Sequence, residues 1–197
     1  MMELRTFVAV PLPPAVQASV LAAAQALAGA LPSVRWSRKV ENLHVTIKFL
    51  GNLGEERVQA LSAALEDALA ALPRFQLAVR GLGAFPSARK ATVLWAGVDD
   101  KNGRLAALAE AVETVAARLA LGERERRPFR GHVTVGRAKE GVDARGALSG
   151  FAERPFGVAP VDEIHIYESQ LGGGPDNQGS TYVLRSRARL GGGTASN

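Results

Sequence analysis

The chain has no cysteine, only three histidines in 197 residues, and 6% aromatic residues. Without cysteine there are no disulfides, no thiolate metal sites and no cysteine nucleophile, a composition compatible with a reducing compartment. No apolar run approaches membrane-spanning length, and "MMELRTFVAV" has no positive stretch followed by an apolar segment and a cleavage site. A soluble, cytoplasmic protein that does not engage membranes is therefore expected. No G-x-S-x-G elbow and no G-x-x-x-x-G-K-[ST] loop occurs, which argues against a serine hydrolase of that type and a P-loop nucleotidase. A zinc site is disfavoured because the histidine motifs read His-x-Thr and have no neighbouring carboxylate, so no metal and no other cofactor is expected.

What is present suffices for a sizeable core: 47% of residues are hydrophobic, enough for one domain or two small lobes. The net charge is +5 and the isoelectric point about 10.1, which favours polyanionic partners such as nucleic acid or phosphorylated metabolites.

Hydrophobic periodicity divides the chain into alternating elements. Strands are expected at 3–10, 34–39, 42–50, 75–82 and 91–98, in the run "HVTVGR", and in "VDEIHIYESQL" and "STYVLRSRARL" on either side of a flexible "GGGPDNQG". Helices are expected where apolar residues recur every three to four positions: Val16, Val20, Leu27 and Leu31; Val58, Leu61, Leu65, Leu69 and Leu72; and Leu105, Leu108, Val112, Val115 and Leu119. "DARGALSGF" suggests a short helix, and residues 191–197 a flexible tail.

A duplication emerges from the spacing. Phe7 precedes His44 by 37 residues, Trp95 precedes His132 by the same 37, and a helix lies between strand and motif both times. The chain reads as two copies of one β-α-β-α-β plan, with "TFVAV" matched to "LWAGV". A pseudo-twofold of this kind brings both motifs to one cleft.

Each motif has chemical content. Residues i and i+2 of a strand share a face, so His44 projects with Thr46, while Val45, Ile47 and Phe49 are expected on the core side. His132 and Thr134 repeat the arrangement, with Val133 and Val135 behind them. Two imidazoles facing one another suit paired acid and base work, because one can accept a proton while the other donates. Threonine hydroxyls beside them can donate to phosphoryl oxygens.

The paired motifs, the contexts "RWSRKVENLHVTIKFLG" and "PFRGHVTVGR", and the late "IYESQLGGG…Y" segment resemble the 2H phosphoesterase superfamily. Within it they are most similar to the RNA 2′,3′-cyclic phosphodiesterase branch, whose members also go by the name 2′-5′ RNA ligases. The resemblance spans nearly the whole chain. It implies an α+β fold, one bilobal domain over 1–190 in which each lobe is an antiparallel sheet packed by helices and the two H-x-T strands line a central cleft. It further implies His44 as proton donor, His132 as proton acceptor, Thr46 and Thr134 as phosphate binders, and no metal. Gly131 departs from relatives, which often carry proline before the second histidine.

Further candidates come from position. Arg137 resembles an arginine close to phosphate in relatives, but strict alternation from His132 turns it away unless Gly136 breaks the strand or admits a bulge. Lys48 shares the parity of His44 and is placed at the cleft rim. Arg126, Arg127 and Arg130 form a basic loop suited to an RNA backbone. His165 reads as a surface strand histidine, and Phe7, Trp36 and Trp95 as core aromatics that a base could otherwise stack on. The expected substrate is RNA with a 2′,3′-cyclic phosphate end or a related nucleotide, and the expected state a monomer. The alternatives are a phosphodiesterase of small cyclic nucleotides or 2′-5′ oligonucleotides, or a binding module without turnover.

Overall fold

A computed structural model describes residues 3–170 and 180–194 of the chain. Ten strands and four helices follow one another as β1 (Leu4–Pro11), α1 (Pro14–Leu27), β2 (Val34–Trp36), β3 (His44–Leu53), α2 (Glu55–Leu69), β4 (Pro73–Phe85), β5 (Ala91–Asp99), α3 (Arg104–Arg118), β6 (His132–Val142), α4 (Arg145–Leu148), β7 (Pro155–Val161), β8 (Glu163–Gln170), β9 (Thr181–Arg189) and β10 (Gly191–Thr194).

Local chemistry accounts for the helices. Pro14 opens α1 where its missing N–H costs nothing. Glu55 and Glu56 place negative charge on the first turn of α2, whose Val58, Leu61, Leu65 and Leu69 form the buried stripe. The Asp100 carboxylate accepts from the Leu105 and Ala106 N–H groups at 2.9 Å each, satisfying two free donors at the start of α3.

The fold is α+β, and its strands form one sheet in the order β10-β4-β5-β6-β3-β1-β8-β9, with β2 beside β6 and β7 beside β4. Every pairing is antiparallel except β10 with β4. The order divides at its centre into β3-β1-β8-β9 and β6-β5-β4-β7, and among the described residues these two halves pair only at Val45–Val133. Strands from the two ends of the chain interleave: β4 joins β5 and β8 joins β1. Helices cross as well, α3 packing on β3 and α1 on β6 and β7, which interlocks the halves into one core.

Strand pairing gives the two motif strands the same local pattern. Phe7, Val8 and Ala9 face Phe49, Lys48 and Thr46, skipping Ile47; Val93, Leu94 and Trp95 face Arg137, Gly136 and Thr134, skipping Val135. Both motif strands thus carry a β-bulge one residue after the threonine, and the order of buried and exposed residues is the same in 44–50 and 132–138. The equal spacing of 37 misaligns the copies by two residues. Ala9, not Phe7, occupies the place of Trp95, because Ala9 to Thr46 spans 37 residues and Trp95 to Thr134 spans 39.

Two element expectations change. β7, in "PFGVAPV", carries two prolines and an irregular pattern that hides it from periodicity, and Gly191–Thr194 pairs in parallel with β4 instead of forming part of a free tail. The "GGGPDNQG" segment lies outside the described residues, apart from its flanking strands.

Candidate active site

The single pair Val45–Val133 positions the site. In the antiparallel register either side of it, His44 lies level with Thr134 and Thr46 level with His132, all four on the face opposite the two buried valines. The histidines are diagonal neighbours, about 7–8 Å apart in a regular pair. Both imidazoles therefore project from one face, each with a threonine hydroxyl beside it, close enough for His132 to act on the charge of His44.

Each ring is set by a backbone carbonyl two residues before it in the chain. His132 Nδ1–H donates to the Arg130 carbonyl at 2.7 Å, so in the neutral ring Nε2 keeps its lone pair for a proton. His44 hydrogen-bonds the Asn42 backbone, and its Nε2 lies 3.0 Å from Thr46 Oγ1. With Nδ1 protonated, Nε2 of neutral His44 accepts from the threonine hydroxyl.

The rings have different surroundings. Phe7, Tyr182 and Tyr167 enclose His44, with ring centres at 5.0, 5.2 and 6.2 Å, whereas Phe85 stands edge-on to His132 at 5.1 Å. Burial pushes the His44 imidazole down from 6.5 to about 4; the Asn42 backbone pulls it back up and the neighbouring His132 pushes it down further. Burial also raises the Tyr167 and Tyr182 phenols.

The bulges redistribute the secondary candidates. After Ile47 the alternation reverses, so Lys48 does not reach the cleft rim. It is 6% exposed, and its Nζ bonds both oxygens of Glu113 on α3 at 2.9 and 3.0 Å and the Glu123 carbonyl at 2.9 Å. It is a buried structural ion pair on the helix side. The equivalent bulge at Val135 buries Gly136 and turns Arg137 outward, onto the face that carries Thr134. The bulge that this arginine needs is present.

Strict alternation puts Phe49 in the core. The bulge instead leaves it 61% exposed beside Phe7, at a ring distance of 5.7 Å, in the position that Arg137 holds on the other strand. An aromatic platform and a guanidinium thus occupy equivalent places in the two halves. No sequence signal other than the repeat itself, read with the bulge, finds Phe49.

Arg130 is exposed, and the contact it makes in the site is through its carbonyl. Its loop is less cationic than its composition. Arg127 forks onto Glu125 at 3.2 and 3.1 Å, holding that carboxyl at about 2, and Arg124 pairs with Glu110. Arg126 lies in the same exposed loop.

Phe7 is buried. The Nε1 atoms of Trp36 and Trp95 are buried without a partner among the described residues. The Trp95 indole fills the space a side chain at Gly83 would need, so glycine is required there. At Gly131, Leu105 and Val98 crowd the Cβ position at 2.5 and 2.6 Å. Tight packing therefore explains the departure before the second motif. Among the described residues no helix is long and apolar enough to cross a membrane, and no three His, Asp or Glu side chains cluster as metal ligands do.

Comparison with known proteins agrees with this architecture. The model of a family described as the 2′-5′ RNA ligase superfamily matches residues 9–173. A protein of Methanothermobacter thermautotrophicus named RNA 2′,3′-cyclic phosphodiesterase is 31% identical over 173 residues, covering 86% of this chain and 92% of that relative. One of the same name from Archaeoglobus fulgidus is 32% identical over 132 residues, 66% of this chain and 72% of the relative. Among solved structures, TT0787 of Thermus thermophilus shares the fold with a TM-score of 0.77 at 24% identity, covering 95% of this chain and 98% of that one. Escherichia coli LigT complexed with 3′-AMP gives 0.71 at 25% identity, covering 96% and 99%.

Proposed function

The chain belongs to the 2′-5′ RNA ligase superfamily, and from that premise we propose that it hydrolyses the terminal 2′,3′-cyclic phosphate of RNA to a 2′-phosphomonoester. The observation that carries the reading is the crossing of two His-x-Thr strands at Val45–Val133, which puts two imidazoles and two hydroxyls around one gap.

His132 Nε2, left free by the bond from Nδ1 to Arg130, takes a proton from water as the water oxygen attacks phosphorus. The P–O3′ bond breaks, and His44 Nε2–H delivers its proton to the departing O3′. Thr46 and Thr134 donate to the non-bridging oxygens as charge builds on them. Arg137, on the same face, adds a cation for the phosphoryl group, and the exposed Phe49 offers the base a stacking surface. Arg130 contributes the carbonyl that orients His132. With the 5′-hydroxyl of a second RNA in place of water, the same steps run in the same direction to a 2′-5′ linkage: the hydroxyl gives its proton to His132, its oxygen bonds phosphorus, P–O3′ breaks, and O3′ takes the proton from His44.

An imidazole near 4 carries no proton at neutral pH. For His44 to act as acid, the anionic substrate must bring the proton with it, by offsetting burial and the repulsion from His132. The low value favours a second reading in which the roles are exchanged and neutral His44 is the base. Cyclic-phosphate-ended RNA incubated with EDTA, with the product phosphate mapped, tests the reaction itself. A 2′-phosphate is expected, and a 3′-phosphate or no turnover refutes it. A small cyclic nucleotide or 2′-5′ oligonucleotide hydrolysed far faster than RNA ends moves the substrate class instead.

A further inference from the structure

On the half-sheet β3-β1-β8-β9 the cleft face does not end at the catalytic residues. The pairing register runs Thr46–Ala9–His165–Arg187 directly across four strands, with Glu163–Arg189 beside it. His165 is 8% exposed and fully engaged: Nε2 lies 2.7 Å from Glu163 Oε1 and Nδ1 2.8 Å from Tyr167 Oη. Donating from Nε2 to the carboxylate, the neutral ring accepts the Tyr167 hydroxyl at Nδ1. The hydrolysis mechanism uses none of this.

The two arginines are the exposed end of the arrangement. Arg187 Nη1 stands 3.5 Å from Glu163 Oε1 and Arg189 Nε 3.9 Å from Oε2, with side chains 55% and 75% exposed. Both distances are too long for good hydrogen bonds, and neither guanidinium makes one among the described residues. His165 occupies Glu163 Oε1, the oxygen that Arg187 faces, and the carboxylate so held leaves Arg189 3.9 Å from Oε2, close enough to steer it without consuming a donor. Their planar forks match phosphate oxygens.

Resting on the functional reading above, we propose that Arg187 and Arg189 hold the phosphodiester backbone of single-stranded RNA upstream of the terminal cyclic phosphate, with His165 as the positioning residue that keeps Glu163 from quenching them. Three strand spacings put Arg187 about 14 Å from Thr46, beyond the terminal phosphate and on the path of the strand leading to it. Both arginines extend from the sheet face that carries Thr46, beyond the buried Ala9 and His165, their charge is of the right sign, and the basic loop at 124–130 spends Arg124 on Glu110 of α3 and Arg127 on Glu125.

The test uses fluorescence anisotropy with a labelled single-stranded RNA decamer ending in a 2′-phosphate, competed by a nucleoside 2′-monophosphate, across a salt series. For R187A/R189A the decamer-to-mononucleotide affinity ratio is expected to fall about tenfold or more, and the slope of log affinity against log salt to flatten by about 1.4, or 0.7 per lost contact. E163Q is expected to raise the ratio, an opposite change that a folding defect does not mimic. H165L, which frees Glu163 to pair with an arginine, is expected to lower it. An unchanged ratio and slope in R187A/R189A overturns the proposal, whether the contacts then fall to R126A/R130A or the β9 arginines serve only to guard the sheet edge. Binding is read apart from turnover, so an enzyme that opens no cyclic phosphate fails the functional reading while the arginine track is still decided.

Discussion

Lowering the pH should withdraw a defined amount of stability through one residue. His44 takes up a proton near 4 in the folded protein and near 6.5 in the unfolded chain. Between these values the unfolded state binds a proton that the folded state refuses, so stability falls as pH drops from about 6.5 and stops falling, for this group, below about 4. Each tenfold difference in proton affinity is about 1.4 kcal/mol, and the drop from 6.5 to about 4 therefore amounts to about 3 kcal/mol. That is a large part of a typical domain's stability. The perturbation is His44→Gln, which keeps an acceptor for Thr46 and cannot titrate. Urea unfolding at half-unit steps from pH 7.5 to 3.5, for both proteins, isolates the histidine's contribution as the difference between the two curves, since carboxylates contribute equally to each. The difference should shift by about 3 kcal/mol across that window, in the sense that the wild type loses more. Parallel curves would refute both the caging of His44 by Phe7, Tyr167 and Tyr182 and the claim that its acid role depends on the substrate. A nucleoside 2′-monophosphate should move the His44 titration upward, followed by imidazole NMR shifts.

Thr46→Val and Thr134→Val should each lower turnover by about tenfold to a thousandfold with folding intact, as steady-state kinetics beside thermal melts will show. Lys48→Met strands Glu113 in the core and should cost about 3–5 kcal/mol in urea unfolding, and Lys48→Met/Glu113→Leu should recover most of it. Phe49→Ala should weaken nucleotide binding by about 1–3 kcal/mol in calorimetry, with little dependence on which base is offered.

The helix stripes and the parity of His44 with Thr46 and of His132 with Thr134 are legible because each depends on a local period of 3.6 or 2. What misleads is the bulge after each threonine. A bulge is fixed by how two distant strands align, so nothing within "HVTIKFLG" announces that Lys48 turns to the helices and Phe49 to the cleft. Arg137 shows the same effect in the other direction, since the bulge at Val135, just before Gly136, turns it toward the face of Thr134. The equal spacing of 37 matches Phe7 to Trp95, yet the connections of the two copies differ by two residues, which pairing alone detects. His165 reads as a surface histidine because the strand face it shares with Glu163 and Tyr167 is polar; its burial depends on those two partners and on a neighbouring strand contributing only Ala9.

The central claim is that two histidines share one proton-transfer reaction, His132 as base and His44 as acid. A substrate with sulfur in place of the 3′ oxygen tests it most directly, because a thiolate leaves without being protonated while the attacking water still needs a base. Single-turnover rates should be measured for wild type, His44→Ala and His132→Ala on the oxygen- and sulfur-bridged cyclic phosphates, with EDTA present throughout. The account predicts that both variants lose several orders of magnitude on the oxygen substrate, and that sulfur restores His44→Ala to within about tenfold of wild type while leaving His132→Ala inactive. Rescue of His132→Ala alone would exchange the two roles. Full activity of either variant on the oxygen substrate, or loss of wild-type activity in EDTA, would contradict the two-histidine mechanism.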